Sequence, residues 1–568
     1  MKNILSTNGT PLTQSSTTTP GGYVPLGVSG KKFTVLSLLD NKVHHLSPSD
    51  LKEMELKSVC GALWCDENYS VYDAKKKTSA FNYRWLANDI MAECQALGPY
   101  SEQSERGTGV WQLDETRLIV NGSQLWTSDG TVLQHGVHDG RVYPAVGEVE
   151  FDMGTEPATD GEVRLVSKLF GSLNWVHPMA ETILLAWVFV AVVGPALRRR
   201  PHVRVTGPRG CGKSTVLDVL KALLGVLYRG FTTPPTEAGL RQTLAERYCC
   251  CAIDEFEYDP TVSHHKAALV LARGAYSMGE EDEGIARGTV SGTPMKFRVT
   301  SPMLTAGIQP GQLEAADASR WVVLEAKELA GAATTPINPQ ALAEVRAIGP
   351  KLKRLAVSRW GVFQASLVVV QQRIIASGGD SRMADTVGTL LAAYWAMVSA
   401  IPATEADADV LVEMYGVKSQ VDEHKVSDEE MCLEALTSKV VRFNVTVDDV
   451  LVTRQLSIGQ AVEAVCKDPT NQPDIVMRLA QMGLRVACVK GSWLLYVANS
   501  PVHQELRKVF NGTKWAAGGW SLILRRLPGG EERTQRIGAG FRPSKVTVIP
   551  VPQHLLPPEG EDELPLAA

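Results

Sequence analysis

Two stretches of the chain carry residues whose types and spacing can do chemistry. The first is Gly207-Pro-Arg-Gly-Cys-Gly-Lys-Ser214, which fits G-x-x-x-x-G-K-[ST] at each fixed position. Gly207, Pro208, Arg209, Gly210, Cys211 and Gly212 would form a loop whose backbone N–H groups wrap a polyphosphate. A helix starting at Lys213 would add the partial positive charge of its N-terminus. Lys213 would reach the β- and γ-phosphates, the Ser214 hydroxyl would ligate Mg²⁺, and Thr215 follows in the first helical turn. The second stretch is Ile253-Asp254-Glu255, an acidic pair that closes an apolar run. Asp254 would hold the Mg²⁺ water shell, and Glu255 would polarise the attacking water as general base. ATP and Mg²⁺ are the cofactors this chemistry calls for.

Such residues work only if strands and helices position them. Val203 and Val205 mark a strand before the loop, and Val216, Leu217 and Leu220 mark one face of a helix after it. Tyr248–Ile253, with its triple cysteine as small apolar filler, suits a strand buried on both faces of a parallel sheet. Between them, Thr236 caps a short helix. Ser301–Ile308 and Trp321–Leu324 read as further strands, and Lys266–Tyr276 as an amphipathic helix. Arg287-Gly-Thr-Val and Met295-Lys-Phe-Arg-Val299 flank Ser291-Gly-Thr-Pro294 and read as a β-hairpin. Arg287, Lys296 and Arg298 make that hairpin basic, which fits either an ordinary surface or a nucleic-acid contact. Arg320 stands just ahead of a late strand. Oligomeric ATPases place a finger for the neighbour's γ-phosphate there; the alternative is a structural ion pair.

The chain has 568 residues, which implies roughly three or four domains. A net charge of -5 excludes a globally basic nucleic-acid binder, so any such site must be local. The ten cysteines show no zinc-site spacing and read as reduced cytoplasmic thiols. Ile183–Leu197 is short for a membrane span and reads as a buried helix. Residues 1–21 read as a disordered arm, 22–158 as an α+β domain, and 159–400 as the P-loop domain with helical elements. In the α+β domain, Ser47–Asp50 starts a helix that buries Leu51 and Met54, and the tryptophans read as core. Residues 401–430 read as an acidic linker. Residues 431–550 have the two-helices-then-hairpin outline of a winged helix, and 551–568 form an acidic tail. The basic, aromatic stretch from Pro501 to Lys545 can bind nucleic acid or be an ordinary surface.

Taken together, several segments resemble the ATPase region of phage and prophage primase-helicases, a superfamily 3-like branch of the AAA+ class. They are the P-loop, Thr236-Glu-Ala-Gly-Leu-Arg-Gln-Thr-Leu244, Ile253-Asp-Glu, Ala286-Arg-Gly-Thr-Val and Asp317-Ala-Ser-Arg320. The resemblance implies an α/β multidomain chain with a central AAA+ P-loop domain. It implies an ATP-dependent replicative DNA helicase, a homo-oligomeric ring of hexamer type on single-stranded DNA, with no membrane. The hairpin would be the pore loop that grips the strand through Arg287 and Lys296, with Arg298 nearby. The polar sensor of the family would be Thr305 or Gln309. No primase site is evident, so a separate primase or polymerase becomes an expected partner. Two other functions fit the residues: an initiator or loader that uses ATP as an assembly switch, and an interaction protein with a decayed P-loop.

Overall fold

The computed structural model describes residues 21–74, 77–101, 104–146, 154–246, 248–257, 263–279, 285–287, 295–308, 313, 315–328, 339–419, 428–447, 450–499, 504–511, 513, 515–516 and 518–556. The chain divides into two compact units, Met1–Lys418 and Ser419–Ala568. At the centre of the first lies a parallel five-stranded sheet. Its strands are β1 (His202–Thr206), β2 (Tyr228–Phe231), β3 (Cys250–Ile253), β4 (Met303–Gly307) and β5 (Trp321–Glu325), in the order β2-β3-β4-β1-β5. Thr206 of β1 pairs with Gly307 of β4 and with Glu325 of β5, so these strands end level. β2 was not expected from the sequence; its Tyr-Arg-Gly-Phe has no apolar alternation to announce it.

β1, β3 and β4 are buried along their whole length, as strands covered on both faces must be. On one face sit the P-loop helix Lys213–Leu224 and the helix Pro339–Ser358. Gly349 lets these two backbones touch, since a Cβ there would run into the Leu223 carbonyl. Lys353, only 1% exposed, donates to the Leu224 carbonyl 3.4 Å away, placing a cation at the negative end of the P-loop helix. On the other face Cys251, Ile253 and Met303 pack against Leu240 and Leu244 of one helix and Leu269 and Ala272 of another. The three consecutive cysteines are fully buried, and burial pushes the Cys250 and Cys251 thiols well up, so they serve as filler. Helix Ala180–Val193 is apolar all round and buried all round. Among the described residues no helix is long and apolar enough to cross a membrane.

Several expected boundaries move. The break expected at residue 158 does not separate one body from another. Tyr248, at the start of the β3 run, donates to the Ala191 carbonyl at 2.7 Å, and its ring lies against the backbones of Gly109 and Gly194. The Gly109–Gln112 strand is thereby fixed to the ATPase core. Arg354 likewise lies 5.0 Å from the Trp126 ring. Trp111 and Trp126 are core, as expected. The segment before them has its own core of Phe33, Val35, Leu56, Leu86 and Ile90. There the Ser47–Asp50 signal makes a turn, with the Ser47 amide donating to Asp50, and the helix begins later, at Glu53–Cys60. Met54 is consequently 80% exposed, not buried.

The acidic stretch expected to be a linker from residue 401 contains the helix Glu405–Tyr415. Thr404 and Asp407 form a capping box, and Ala408, Leu411 and Val412 are buried. Residues 1–20, 420–427 and 557–568, with most of the expected arm and tail, lie outside the described residues. In the second unit the helices Ile458–Lys467 and Pro473–Gln481 precede the hairpin Leu484–Val489/Ser492–Ala498. That hairpin extends into a four-stranded sheet with Ser544–Pro550 and Glu531–Gln535. A separate ribbon, Val440–Val447 with Val450–Ser457, adds to the winged-helix outline. Val551 and Leu555 belong to this unit's core, so the expected tail does not begin at 551.

His202 opens β1 inside this core. Its Nδ1 accepts from the Met303 amide at 3.0 Å, so its Nε2 proton is donated to the Ala272 carbonyl at 2.8 Å. Burial lowers its pKa from 6.5 to about 4. The unfolded chain therefore takes up a proton that the native chain refuses between those values. Stability should fall as pH drops from 6.5 towards 4, by roughly 3 kcal/mol from this residue. Denaturant unfolding at pH 7 and pH 5 checks this. His202→Gln should be less stable at pH 7, yet lose less between the two pH values than the parent; an equal loss would acquit His202.

Candidate functional site

The carboxyl ends of the five parallel strands form one edge, and in open α/β sheets ligands bind outside that edge. Two of the chemistry-bearing stretches meet there. The chain leaves β1 at Thr206 and turns at once. Gly207 has φ +147°, and a Cβ on it would collide with the Ala326 carbonyl just beyond β5. Gly212 (φ +98°) is the left-handed cap of the helix Lys213–Leu224, and no side chain caps its first-turn amides. Those amides point out of the edge as anion donors. A Cβ at Gly212 would sit 2.8 Å from Leu173, so the loop is wedged from behind. Cys211 is buried and roots the loop, while Arg209, Gly210 and Ser214 are exposed and Pro208 and Thr215 half-buried.

Lys213 is half-buried and folds back over the loop. Its Nζ donates to the Gly207 carbonyl at 2.7 Å and the Pro208 carbonyl at 2.8 Å, and lies 3.6 Å from Cys211 Sγ. The ammonium is held at the mouth of the loop by neutral acceptors, which an anionic phosphate can outcompete. The glycine conformations, the uncapped helix start and the placed ammonium fit a polyphosphate.

The acidic pair stands two strands away, past β4, roughly 10 Å across the sheet. The Asp254 amide donates to the Phe231 carbonyl at 2.8 Å, and the Phe256 amide donates to the Ala306 carbonyl at 2.8 Å. Between these anchors Glu255 takes φ +50° and is exposed. Asp254 is half-buried, with Oδ1 accepting from the Glu255 amide at 2.9 Å. Glu257 is not merely a solvated continuation; its carboxylate accepts from the Ile308 amide at the end of β4. Among the described residues no cluster of three His, Cys, Asp or Glu could hold a metal alone. A Mg²⁺ held by one carboxylate, one hydroxyl and substrate phosphates needs none.

Other candidates fall elsewhere. Thr305 lies within β4, 2% exposed, and its hydroxyl accepts from Arg204 Nε at 3.4 Å. It lies inside the sheet, in register with Ile253, the last residue of β3. Gln309 lies outside the described residues. The hairpin strands exist as Ile285–Arg287 and Met295–Phe297, pairing Ala286 with Lys296 and Arg287 with Met295. Their connecting turn lies outside the described residues. Arg298 follows the second strand and is half-buried.

Arg320 sits at the opposite edge. Its carbonyl accepts from the His202 amide at 3.0 Å, and Trp321 pairs with His202, so it precedes the amino end of β5. The P-loop begins five residues further along the neighbouring strand, roughly 16 Å away. Asp317 pairs with Arg273, with both contacts at 2.8 Å, and its charge also acts favourably on Arg320. Arg320 lies 5.6 Å from the Tyr276 ring, with Arg382 at 5.7 Å from the same ring. Burial, then the fields of Arg382 and Arg273, pull the Arg320 pKa down. Sequence reasoning missed Arg382; it is distant in the chain, and no local signal marked it.

The fold is thus a P-loop-bearing α/β sheet with phosphate-type donors at one edge and an arginine group at the other. No family model and no curated protein matches the sequence. Among solved structures, the chain is similar to an active helicase, SCCmec type IV Cch, at 13% identity. That match covers 93% of each chain with a TM-score of 0.43. It is also similar to the NrS-1 C-terminal region at 11% identity, covering 92% of this chain and 96% of that one, TM-score 0.35. A full-length MCM homologue from Methanopyrus kandleri matches at 15% identity over 60% of this chain and 85% of that one, TM-score 0.29. At such distances these likenesses carry no functional assignment.

Lys213→Ala removes the ammonium from the loop mouth while leaving the buried anchors in place. The variant should fold with a melting temperature near that of the parent, lose at least tenfold in affinity for a fluorescent ATP analogue, and lose ATP turnover. Near-normal turnover in a folded variant would remove the phosphate site from this loop.

Proposed function

We propose that the chain is an ATP-driven replicative DNA helicase of phage or prophage type, working as a ring, hexameric by the resemblance, on single-stranded DNA. The observation that carries this reading is the division of one catalytic set between opposite edges of one sheet. The P-loop and the acidic pair share the carboxyl edge, and Arg320 stands at the amino edge. One subunit can therefore bind a nucleotide but cannot bring its own Arg320 to it. In a ring, the arginine edge of one copy faces the phosphate edge of the next.

In this reading the loop 207–212 and the first-turn amides bind the phosphates, and Lys213 bridges β and γ. Ser214 and Asp254 would hold a Mg²⁺, which would supply charge neutralisation at the phosphates. Glu255 takes a proton from the attacking water, and its left-handed backbone projects the carboxylate clear of the sheet. A neighbour's Arg320 stabilises the negative charge that builds on the γ-phosphate. The Ile285–Arg287/Met295–Phe297 hairpin grips DNA through Arg287 and Lys296. A cytoplasmic protein that cooperates with a separate primase or polymerase completes the picture.

Three outcomes check it. Glu255→Gln keeps the shape and loses the base, so it should bind Mg·ATP and hydrolyse it about 10²–10⁴-fold more slowly. Lost ATP affinity would make Glu255 a metal or structural residue instead. Arg320→Ala should bind ATP, assemble and barely turn over. Mixing it with Lys213→Ala should restore ATPase, because mixed rings contain interfaces with both residues intact. No recovery, with mixed assembly shown by native mass, would place Arg320 outside catalysis. Finally, unwinding of 3′- and 5′-tailed forks separates a helicase from an ATP-switched loader, which should hydrolyse without displacing a strand.

A further inference from the structure

Folding leaves a set of aromatic rings at the surface of the amino-terminal region. Tyr72 is 63% exposed and Trp85 57%, against the expectation that the tryptophans here are core. Tyr72 belongs to the hairpin Ser70–Asp73/Thr78–Phe81, which leads through Asn82 into the helix Tyr83–Leu97. Between hairpin and helix start lies a groove of about 720 Å³, lined by residues that include Tyr72, Phe81, Tyr83 and Arg84. Phe81 and Tyr83 are rooted in the core beneath, which fixes their rings. Tyr72 and Trp85 make no such contribution to the core, so their exposure has no packing explanation.

Arg84 is the charged residue that lines the groove, and Lys57, close to the Phe81 ring, is ion-paired with Asp66 and Glu53. In the sequence Ala74-Lys75-Lys76-Lys77 separates the two strands, with Lys75 and Lys76 outside the described residues, and Asp73 is the sole acidic residue from Ser70 to Leu86. Lys77 is exposed. Lys57 Nζ stands 5.2 Å from the Phe81 ring, and the Arg84 guanidinium 5.9 Å from the Tyr83 ring. The chain as a whole is acidic, with a net charge of -5, so this run of cations is a local feature. Aromatic faces beside lysines are what unpaired bases on a phosphate backbone require, since every base offers a π-face and every link a negative charge. An apolar protein partner would use the rings but not the lysines.

We propose that this groove binds a single-stranded nucleic acid, as a second strand contact far along the sequence from the 285–297 hairpin. The groove's chemistry takes DNA or RNA; the choice of DNA rests on the helicase reading above. The full-length protein is mixed with fluorescent oligo-dT or oligo-U of equal length, without nucleotide, and anisotropy is followed across salt. Photo-crosslinking to bromodeoxyuridine-substituted strands, read by mass spectrometry, locates the contact. Adducts should appear at Tyr72, Tyr83 or Trp85. Tyr72→Ala with Trp85→Ala, both surface changes, should weaken binding about tenfold or more. Lys77→Ala with Arg84→Ala should lower the slope of log K against log salt by about 1.4, two single-strand phosphate contacts. Basal ATPase should not change in either variant.

Unchanged affinity and slope, with adducts confined to other regions, would overturn the proposal. So would variants that bind nucleic acid normally but change the protein's own mass by light scattering, which would make the groove a protein interface. Groove adducts in a protein without ATPase would sink the helicase reading and leave the groove standing. Unwinding without groove adducts would do the reverse. Equal affinity for oligo-dT and oligo-U would support the groove; a preference for oligo-dT would also support DNA as its strand.

Discussion

One buried cation holds the two edges of the sheet in relation. Arg204 lies in the middle of β1, 2% exposed, with its guanidinium 5.7 Å from the Phe256 ring and 5.5 Å from the Trp321 ring. Its Nε donates to Thr305 on the neighbouring strand. Phe256 directly follows Glu255, and Trp321 directly follows Arg320. A charge taken out of water is costly unless it finds partners, and a desolvated cation over an aromatic face gains about 2 kcal/mol. The arginine therefore selects a packing in which both rings close on it. In doing so it fixes the backbone on which Glu255 sits and the one that carries Arg320.

The amino edge shows what such fixing costs. Arg199, Arg320 and Arg382 all lie within 6.0 Å of the Tyr276 ring. Arg199 is balanced by Asp385 at 3.0 Å and Arg273 by Asp317. Burial, then Arg382 and Arg273, lower the Arg320 pKa, against the attraction of Tyr276 and Asp317. The Tyr276 hydroxyl is held by Thr386, so the ring cannot swing away from the group. The phosphate edge is electropositive as well, with uncapped helix amides and a Lys213 ammonium held by neutral carbonyls.

What could be read in the sequence follows from how local each signal is. The P-loop was legible because its chemistry is packed into eight consecutive residues, and Gly207 and Gly212 take the conformations that only glycine adopts freely. The strand ending at Ile253 was legible because burial on both faces needs an unbroken apolar run. The contact of Thr305 with Arg204 was not legible, because composition cannot say which face of β4 a hydroxyl takes. The boundary at residue 158 failed because Tyr248 joins pieces more than a hundred residues apart. Met54 and Trp85 were misread for one reason: each is an apolar side chain on the solvent face of a first helical turn whose neighbours Leu56 and Leu86 take the core face.

Glu255 is where the local rules and the proposed chemistry diverge. A non-glycine residue at φ +50° costs on the order of 1–3 kcal/mol. Its neighbours enforce the conformation from both sides, through the Asp254–Phe231 and Phe256–Ala306 hydrogen bonds. Glycine at this position would relax the backbone but would remove the carboxylate. The strain therefore has no structural beneficiary. Asp254 continues the line of β3 and keeps its carboxylate low against the sheet, half-buried and oriented by the next amide. Glu255 is turned out of that line and left exposed. Two adjacent carboxylates are thus given different environments by a single backbone kink. That is the arrangement expected when one acid must stay with a metal and the other must meet water.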